Sequence, residues 1–235
     1  ASMYIRPFVF ATDEFIGVRP SSNYKLIIFT CPVNSYYDKA VSVKIETKYA
    51  RASEGGTGSA KAAGNYAASL YPTKLANEEG YDQIIWTDAK EHKYIEESGT
   101  MNLMVVIDDV IVTPPAGDTI LGGITRKSII QIAKDLGYKV EERLLEVQEV
   151  VNAHKAGKLS DMFGTGTAVT ITHIAKFGLD GTNYELPPAN ERKISNHIKS
   201  VLEKIKVNKI TAKPCARPSA VYKLRALCVA LVLFP

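Results

Sequence analysis

The sequence is poor in cysteine, histidine and tryptophan and holds no long apolar run. Its 3 cysteines, Cys31, Cys215 and Cys228, stand far apart without Cys-x-x-Cys or histidine spacing. That pattern excludes a disulfide framework and a thiolate zinc site, and no metal is expected. A reducing, cytoplasmic compartment is the expectation, with a mitochondrial one left open. The longest uninterrupted apolar stretch, 226–234, falls well below the ~20 residues that cross a bilayer, so no membrane partner is expected. Ala1-Ser2-Met3 brings neither a cluster of positive charge nor an apolar signal stretch. His92, His154, His173 and His197 lack the spacing of a triad or a metal site, which leaves solvated or core positions for all four.

Acidic residues are missing from 208–235, where Lys209, Lys213, Arg217, Lys223 and Arg225 stand unopposed. The whole chain carries 29 basic and 25 acidic residues, a net charge of +4; setting those five aside leaves 24 basic against 25 acidic, a net of −1. The body therefore has no electrostatic reason to bind nucleic acid. With 235 residues, 46% of them hydrophobic and 23% charged, it can bury a sizeable core as one large domain or two small ones.

Runs rich in β-branched and aromatic residues at 4–10, 25–33, 41–46, 82–86, 103–112 and 168–174 read as strands. Segments at 60–71, 124–136, 146–154 and 190–207 have helical period. In the last, Ile194, Ile198, Val201, Leu202 and Ile205 recur at spacings of three and four, the mark of an amphipathic helix packed on a core. Gly122-Gly123 and Gly164-Thr165-Gly166 read as turns at junctions. Strands and helices mix without strict alternation, so the fold class is α+β with a largely antiparallel sheet.

Glu54-Gly55-Gly56-Thr57-Gly58-Ser59-Ala60-Lys61-Ala62-Ala63-Gly64-Asn65-Tyr66 sets one lysine among small residues, where a ligand can approach the amine closely. A Walker loop requires Gly before the Lys and Ser or Thr after it, whereas Ala60 and Ala62 stand there. Taken singly, the segment is as well read as a glycine-rich turn with a solvated lysine. Three later segments weigh against that reading. Gly122-Gly123-Ile124-Thr125-Arg126 opens a helix whose first N–H groups suit an anion. Phe163-Gly164-Thr165-Gly166-Thr167-Ala168 adds hydroxyls, and Glu97-Ser98-Gly99-Thr100-Met101-Asn102 adds a carboxylate. An amine, an anion cradle and a carboxylate are what a pyridoxal phosphate enzyme needs.

In this order, Tyr-Ile-Arg-Pro at 4–7, the Lys61 segment ending in Gly-Asn-Tyr, Glu-Ser-Gly-Thr-Met-Asn at 97–102, Gly-Ile-Thr-Arg at 123–126 and Phe-Gly-Thr-Gly-Thr-Ala at 163–168 resemble branched-chain amino acid aminotransferases, which are fold-type IV pyridoxal phosphate enzymes. The resemblance runs from about residue 4 to about residue 207 and implies the large cofactor-binding domain of that fold. It implies transamination of leucine, isoleucine and valine with 2-oxoglutarate, with pyridoxal 5'-phosphate as cofactor, within branched-chain amino acid biosynthesis. Lys61 would form the Schiff base and shuttle the α-proton, Tyr66 would bond the cofactor phenolic oxygen, and Glu97 would pair with the pyridine nitrogen. Ile124, Thr125 and Thr167 would hold the phosphate; Thr100 and Ala168 would hold the substrate carboxylate. Tyr4, Arg6 and Tyr36 match positions near the substrate, and Ile16, Gly17 and Val18 match a loop that reaches the neighbouring site of a homodimer. Taken singly, Tyr36, Tyr66 and Glu97 are better read as ordinary core or strand-end residues; together with Lys61 the balance reverses.

The family's smaller N-terminal domain has no counterpart in the sequence, so 1–207 is expected to be the large domain and 208–235 a basic, apolar tail unlike the family's closing segment. Impaired turnover is the corresponding expectation. Two other readings remain: another fold-type IV enzyme, such as a D-amino acid aminotransferase or an aminodeoxychorismate lyase, or a non-catalytic scaffold.

Overall fold

The computed structural model describes residues 2–33, 39–207 and 209–210. The chain opens with β1 (Ser2–Ala11) and β2 (Tyr24–Val33), which pair antiparallel in a two-stranded sheet of their own. Then come β3 (Val41–Ile45), α1 (Ala63–Glu78), β4 (Gln83–Thr87), β5 (Ile95–Ser98), β6 (Met101–Ile107) and β7 (Val110–Thr113). The remainder is α2 (Ile124–Asp135), β8 (Val140–Glu142), α3 (Val147–Lys155), β9 (Leu159–Gly166), β10 (Thr170–Leu179), β11 (Thr182–Glu185), a 3-10 turn at Ala189–Glu191, and α4 (Lys193–Lys206).

Among the described residues nine strands form the second sheet, and six of them close on themselves. The circuit runs β10, β3, β4, β5, β6, β9 and back to β10, because β9 pairs with both β6 and β10. Closure leaves these six without a free edge. Among the described strands the pairings β10–β3, β3–β4 and β7–β8 are parallel and the others antiparallel, in line with the α+β expectation.

Strand β6 shows why its stretch of sequence is almost wholly apolar. Successive side chains point to opposite faces. Leu103 and Val105 join a core with α3 residues Val147, Val150 and Val151, while Met104 and Val106 join another with Ile129 and Ile132 of α2 and Ile198 and Leu202 of α4. The amphipathic stripe of α4 thus lies on the second core, with Ile194, Ile198, Leu202 and Ile205 buried.

Four sequence readings change. The run 103–112 is two strands joined at Asp108 and Asp109, whose φ of 48° and 61° reverse the chain; apolar content alone hid the turn. The run 168–174 begins in a turn and belongs to β10, which continues to Leu179. Gly164-Thr165-Gly166, read as a turn, lies in β9, and the reversal comes after it. The helical segment read at 60–71 is helix α1, which starts at Ala63 and passes through Pro72 to Glu78; Pro72 is buried, and the side chain of Thr73 bonds back to Ser69 O at 2.7 Å. Tyr36 lies outside the described residues, as does the 208–235 tail apart from 209–210. Among the described residues no helix is long and apolar enough to cross a membrane.

Candidate active site

Lys61 closes the small-residue loop just before α1. The buried Asn65, in the first turn of α1, holds that loop in shape: its Nδ2 donates to Thr57 O at 2.7 Å and Ala60 O at 3.0 Å, and its Oδ1 accepts from Thr57 Oγ1 at 2.8 Å. The loop packs against residues 118–119, with Ser59 N–H donating to Asp118 O at 2.9 Å. Gly58 permits the approach, since a Cβ there would lie 2.6 Å from Ala52 Cβ, Asp118 O and Thr119 Cα. Lys61 Nζ donates to Tyr66 Oη at 3.1 Å, and both side chains reach the surface.

Glu97 sits on β5 with 3% of its surface exposed. Its Oε1 accepts from Asn102 Nδ2 and from Leu121 N–H, both at 3.0 Å, and Oε2 pairs with Arg51 Nη2 at 3.0 Å. Burial raises its pKa to about 7, against the opposing pull of the Arg51 guanidinium. Arg51 also donates to Gly58 O and Thr119 O, so one guanidinium ties the lysine loop to the carboxylate.

Asn102 connects the carboxylate to the start of α2. It lies opposite Glu97 across β5–β6, and its Nδ2 also donates to Leu121 O at 2.7 Å. Gly123, the residue before α2, passes so close that a Cβ would strike Asn102 Oδ1. Among the described residues no side chain caps α2, so the first N–H groups at Ile124 and Thr125 retain the capacity to bind an anion. Asn102 faces Thr165 of β9 on its other side. The β5–β6 turn, with Thr100, and the β9–β10 turn, with Thr167 and Ala168, therefore lie at the same end of neighbouring strands. Thr100, Thr167 and Ala168 are exposed.

The chain matches the class IV amino-transferase family over residues 1–177. It belongs to that family. A probable branched-chain-amino-acid aminotransferase of Staphylococcus epidermidis is 51% identical over 177 residues, 74% of this chain and 49% of that protein. A branched-chain-amino-acid transaminase of Bacillus subtilis is 41% identical over 213 residues, 89% of this chain and 60% of that protein. A solved branched-chain amino acid aminotransferase from Escherichia coli superposes with a TM-score of 0.74 at 29% identity, covering 90% of this chain and 66% of the other. The chain spans about half the length of the first of these relatives.

In this member of the class IV amino-transferase family the structure brings Lys61, Tyr66, Glu97, Ile124 and Thr125 into one connected arrangement through Arg51, Asn102 and Leu121. It does not bring Tyr4, Arg6, Ile16, Gly17 or Val18 there: they belong to the separate β1–β2 ribbon, and among the described residues no hydrogen bond or ion pair joins that ribbon to Lys61 or Glu97. Arg126, within the Gly-Ile-Thr-Arg segment, is buried and bonds Pro114 O and Glu142, a structural role. Sequence reading missed Arg51, Asn102 as a connector, and Asn65. Arg51 stands only a few residues before the glycine-rich loop, and that closeness is the one signal that pointed to it. The histidines have protein partners: Thr87 for His92, Glu185 O for His154, Ser195 for His173 and Tyr138 for His197.

Proposed function

We propose that the chain is the cofactor-binding part of a pyridoxal 5'-phosphate-dependent aminotransferase that exchanges amino groups between leucine, isoleucine or valine and 2-oxoglutarate. The observation that carries the reading is the buried Glu97, anchored from three sides within the same framework as Lys61 and the uncapped α2 N-terminus. The donor set fits the cofactor: a carboxylate for a cationic ring nitrogen, an amine, and backbone N–H groups for a phosphate. The names of the relatives favour branched-chain substrates over D-amino acids. Residues 1–207 form the cofactor-binding unit in this reading, and a cytoplasmic setting suits the dispersed cysteines.

When bound, pyridoxal phosphate supplies an electron sink that acidifies the α-hydrogen of an amino acid. Glu97 Oε2 retains a lone pair for the ring N–H beside its bond to Arg51. Glu97 would hold a protonated ring nitrogen as an ion pair, the charge on the ring favouring its ionised form. Lys61 Nζ takes the α-proton and returns it, with Tyr66 Oη orienting the amine. The Ile124 and Thr125 N–H groups and the Thr167 hydroxyl bind the phosphate. Thr100 and the Ala168 N–H orient the substrate carboxylate.

The active form in this reading is a homodimer, with Ile16, Gly17 and Val18 reaching the neighbouring site. The ribbon supports it. Phe8, Phe10 and Phe29 are exposed on one face, and Val9, Leu26 and Ile28 on the other. A two-stranded ribbon apolar on both faces calls for covering layers.

Adding pyridoxal phosphate should produce a visible absorbance band, and borohydride reduction should fix the label on Lys61. Leucine-dependent formation of glutamate from 2-oxoglutarate then tests the activity. A label on another lysine overturns the site. Labelling of Lys61 without amino transfer, in a protein also carrying the remaining length of its relatives, overturns the reaction.

A further inference from the structure

The single tryptophan of the chain, Trp86, is fully buried on β4, where it packs with Ile84 and with Ala76 of α1. A buried indole N–H needs an acceptor, and Trp86 Nε1 donates to Gly99 O at 3.1 Å. Gly99 N–H donates in turn to Ile84 O at 2.6 Å, so β4 holds this one residue by its amide and its carbonyl together. Gly99 and Thr100 form the two-residue turn between β5 and β6, since Ser98 pairs with Met101. Gly99 has a φ of 57°, which suits the first central position of so tight a turn, and a Cβ there would strike Gln83 Oε1. The carbonyl and N–H of one trans peptide point in opposite directions. With Gly99 O drawn inward to the indole, Thr100 N–H is turned away from it. Among the described residues that N–H finds no acceptor, and Thr100 is exposed.

We propose that Trp86 is a positioning residue whose indole N–H fixes the Gly99–Thr100 peptide, so that Thr100 meets the carboxylate of an amino-acid substrate in one prepared orientation. The proposal rests on the role given to Thr100 above and adds the group that sets its direction. Trp86 is buried and acts only through the turn. A turn already ordered before the substrate arrives spares the entropy loss of ordering it on contact, so the bond should register in affinity for the amino acid and not for the cofactor.

In the 235-residue chain Trp86 supplies the one indole N–H signal, so NMR reads the bond directly. Replacing the indole by a benzothiophene, which keeps the shape and exchanges N–H for sulfur, should speed amide exchange at Gly99 on the order of 10-fold and shift the Thr100 amide resonance, with β9 and β10 amides unmoved. Kinetics use the protein that also carries the remaining length of its relatives. There the benzothiophene at position 86, and Trp86→Phe, should raise the KM for leucine on the order of 10-fold while kcat and pyridoxal phosphate affinity hold. Ile84→Val thins the same cluster without touching the bond and should leave that KM unchanged. An unaltered Gly99 and Thr100 in the benzothiophene chain overturn the anchor. A loosened turn with an unchanged leucine KM, or a KM raised equally by Ile84→Val, overturns the positioning role. A parent that transfers no amino group from leucine overturns the functional reading and this role within it, while the NMR result still decides the anchor.

Discussion

Replacing Glu97 with Gln should change how stability depends on pH before any cofactor is added. In the folded chain burial raises this carboxyl from 4.5 to about 7, even with Arg51 beside it. A group whose pKa is raised by folding contributes stability that is fully present below its unfolded value and is lost as pH rises through its folded one. The gap corresponds to roughly 3 kcal/mol, at ~1.4 kcal/mol per pH unit. The parent should therefore lose about that much relative to Glu97→Gln between pH 4.5 and pH 7, with the difference level above. Urea unfolding of both proteins across that range measures it. Glu96, also raised by burial, is present in both proteins and drops out of the comparison. Saturating pyridoxal phosphate should flatten the parent's profile, because a cationic ring nitrogen keeps Glu97 ionised in the folded state. Parallel profiles without cofactor would refute the reasoning, and a parent that gains stability with rising pH would reverse its sign.

Gly123→Ala places a methyl group against Asn102 Oδ1, so it should cost ~1–3 kcal/mol in urea unfolding and weaken pyridoxal phosphate binding in an absorbance titration. Arg192→Ala strands the buried Asp161, 3.2 Å from Arg192 Nη1, and leaves Pro187 O, Met162 O and Ile174 O without this donor; a loss of ~3–5 kcal/mol should appear in thermal melts. Burial lowers His173 from 6.5 to about 4, so its contribution is present above pH 6.5 and lost as pH falls through about 4. His173→Gln should remove that acid-side loss, and an unchanged acid limb would count against the assignment.

Local pattern and motif order made much of the chain legible. Strand and helix periods located β1, β2, β3, β4, α2, α3 and α4, because burying one face imposes a spacing of two or of three to four on any chain. Lys61, Glu97 and the α2 start were legible because they sit in short segments whose small residues and order are distinctive. Boundaries fared worse. The turn at Asp108–Asp109 lies between two largely apolar strands, and helix α1 runs through Pro72 beyond the 60–71 segment, so composition misled at both boundaries.

The tertiary structure decided which distant groups meet. Arg51 reaches Glu97 only because the lysine loop packs on residues 118–119, and Asn102 joins Glu97 to α2 because β5 pairs with β6 in one register. The closure of β9 onto both β6 and β10 is likewise absent from any local window. Hydrophobic period reports whether a residue is buried. It carries no information about the partner across the sheet, or about the Arg51 guanidinium that pulls Glu97 down while burial raises its pKa.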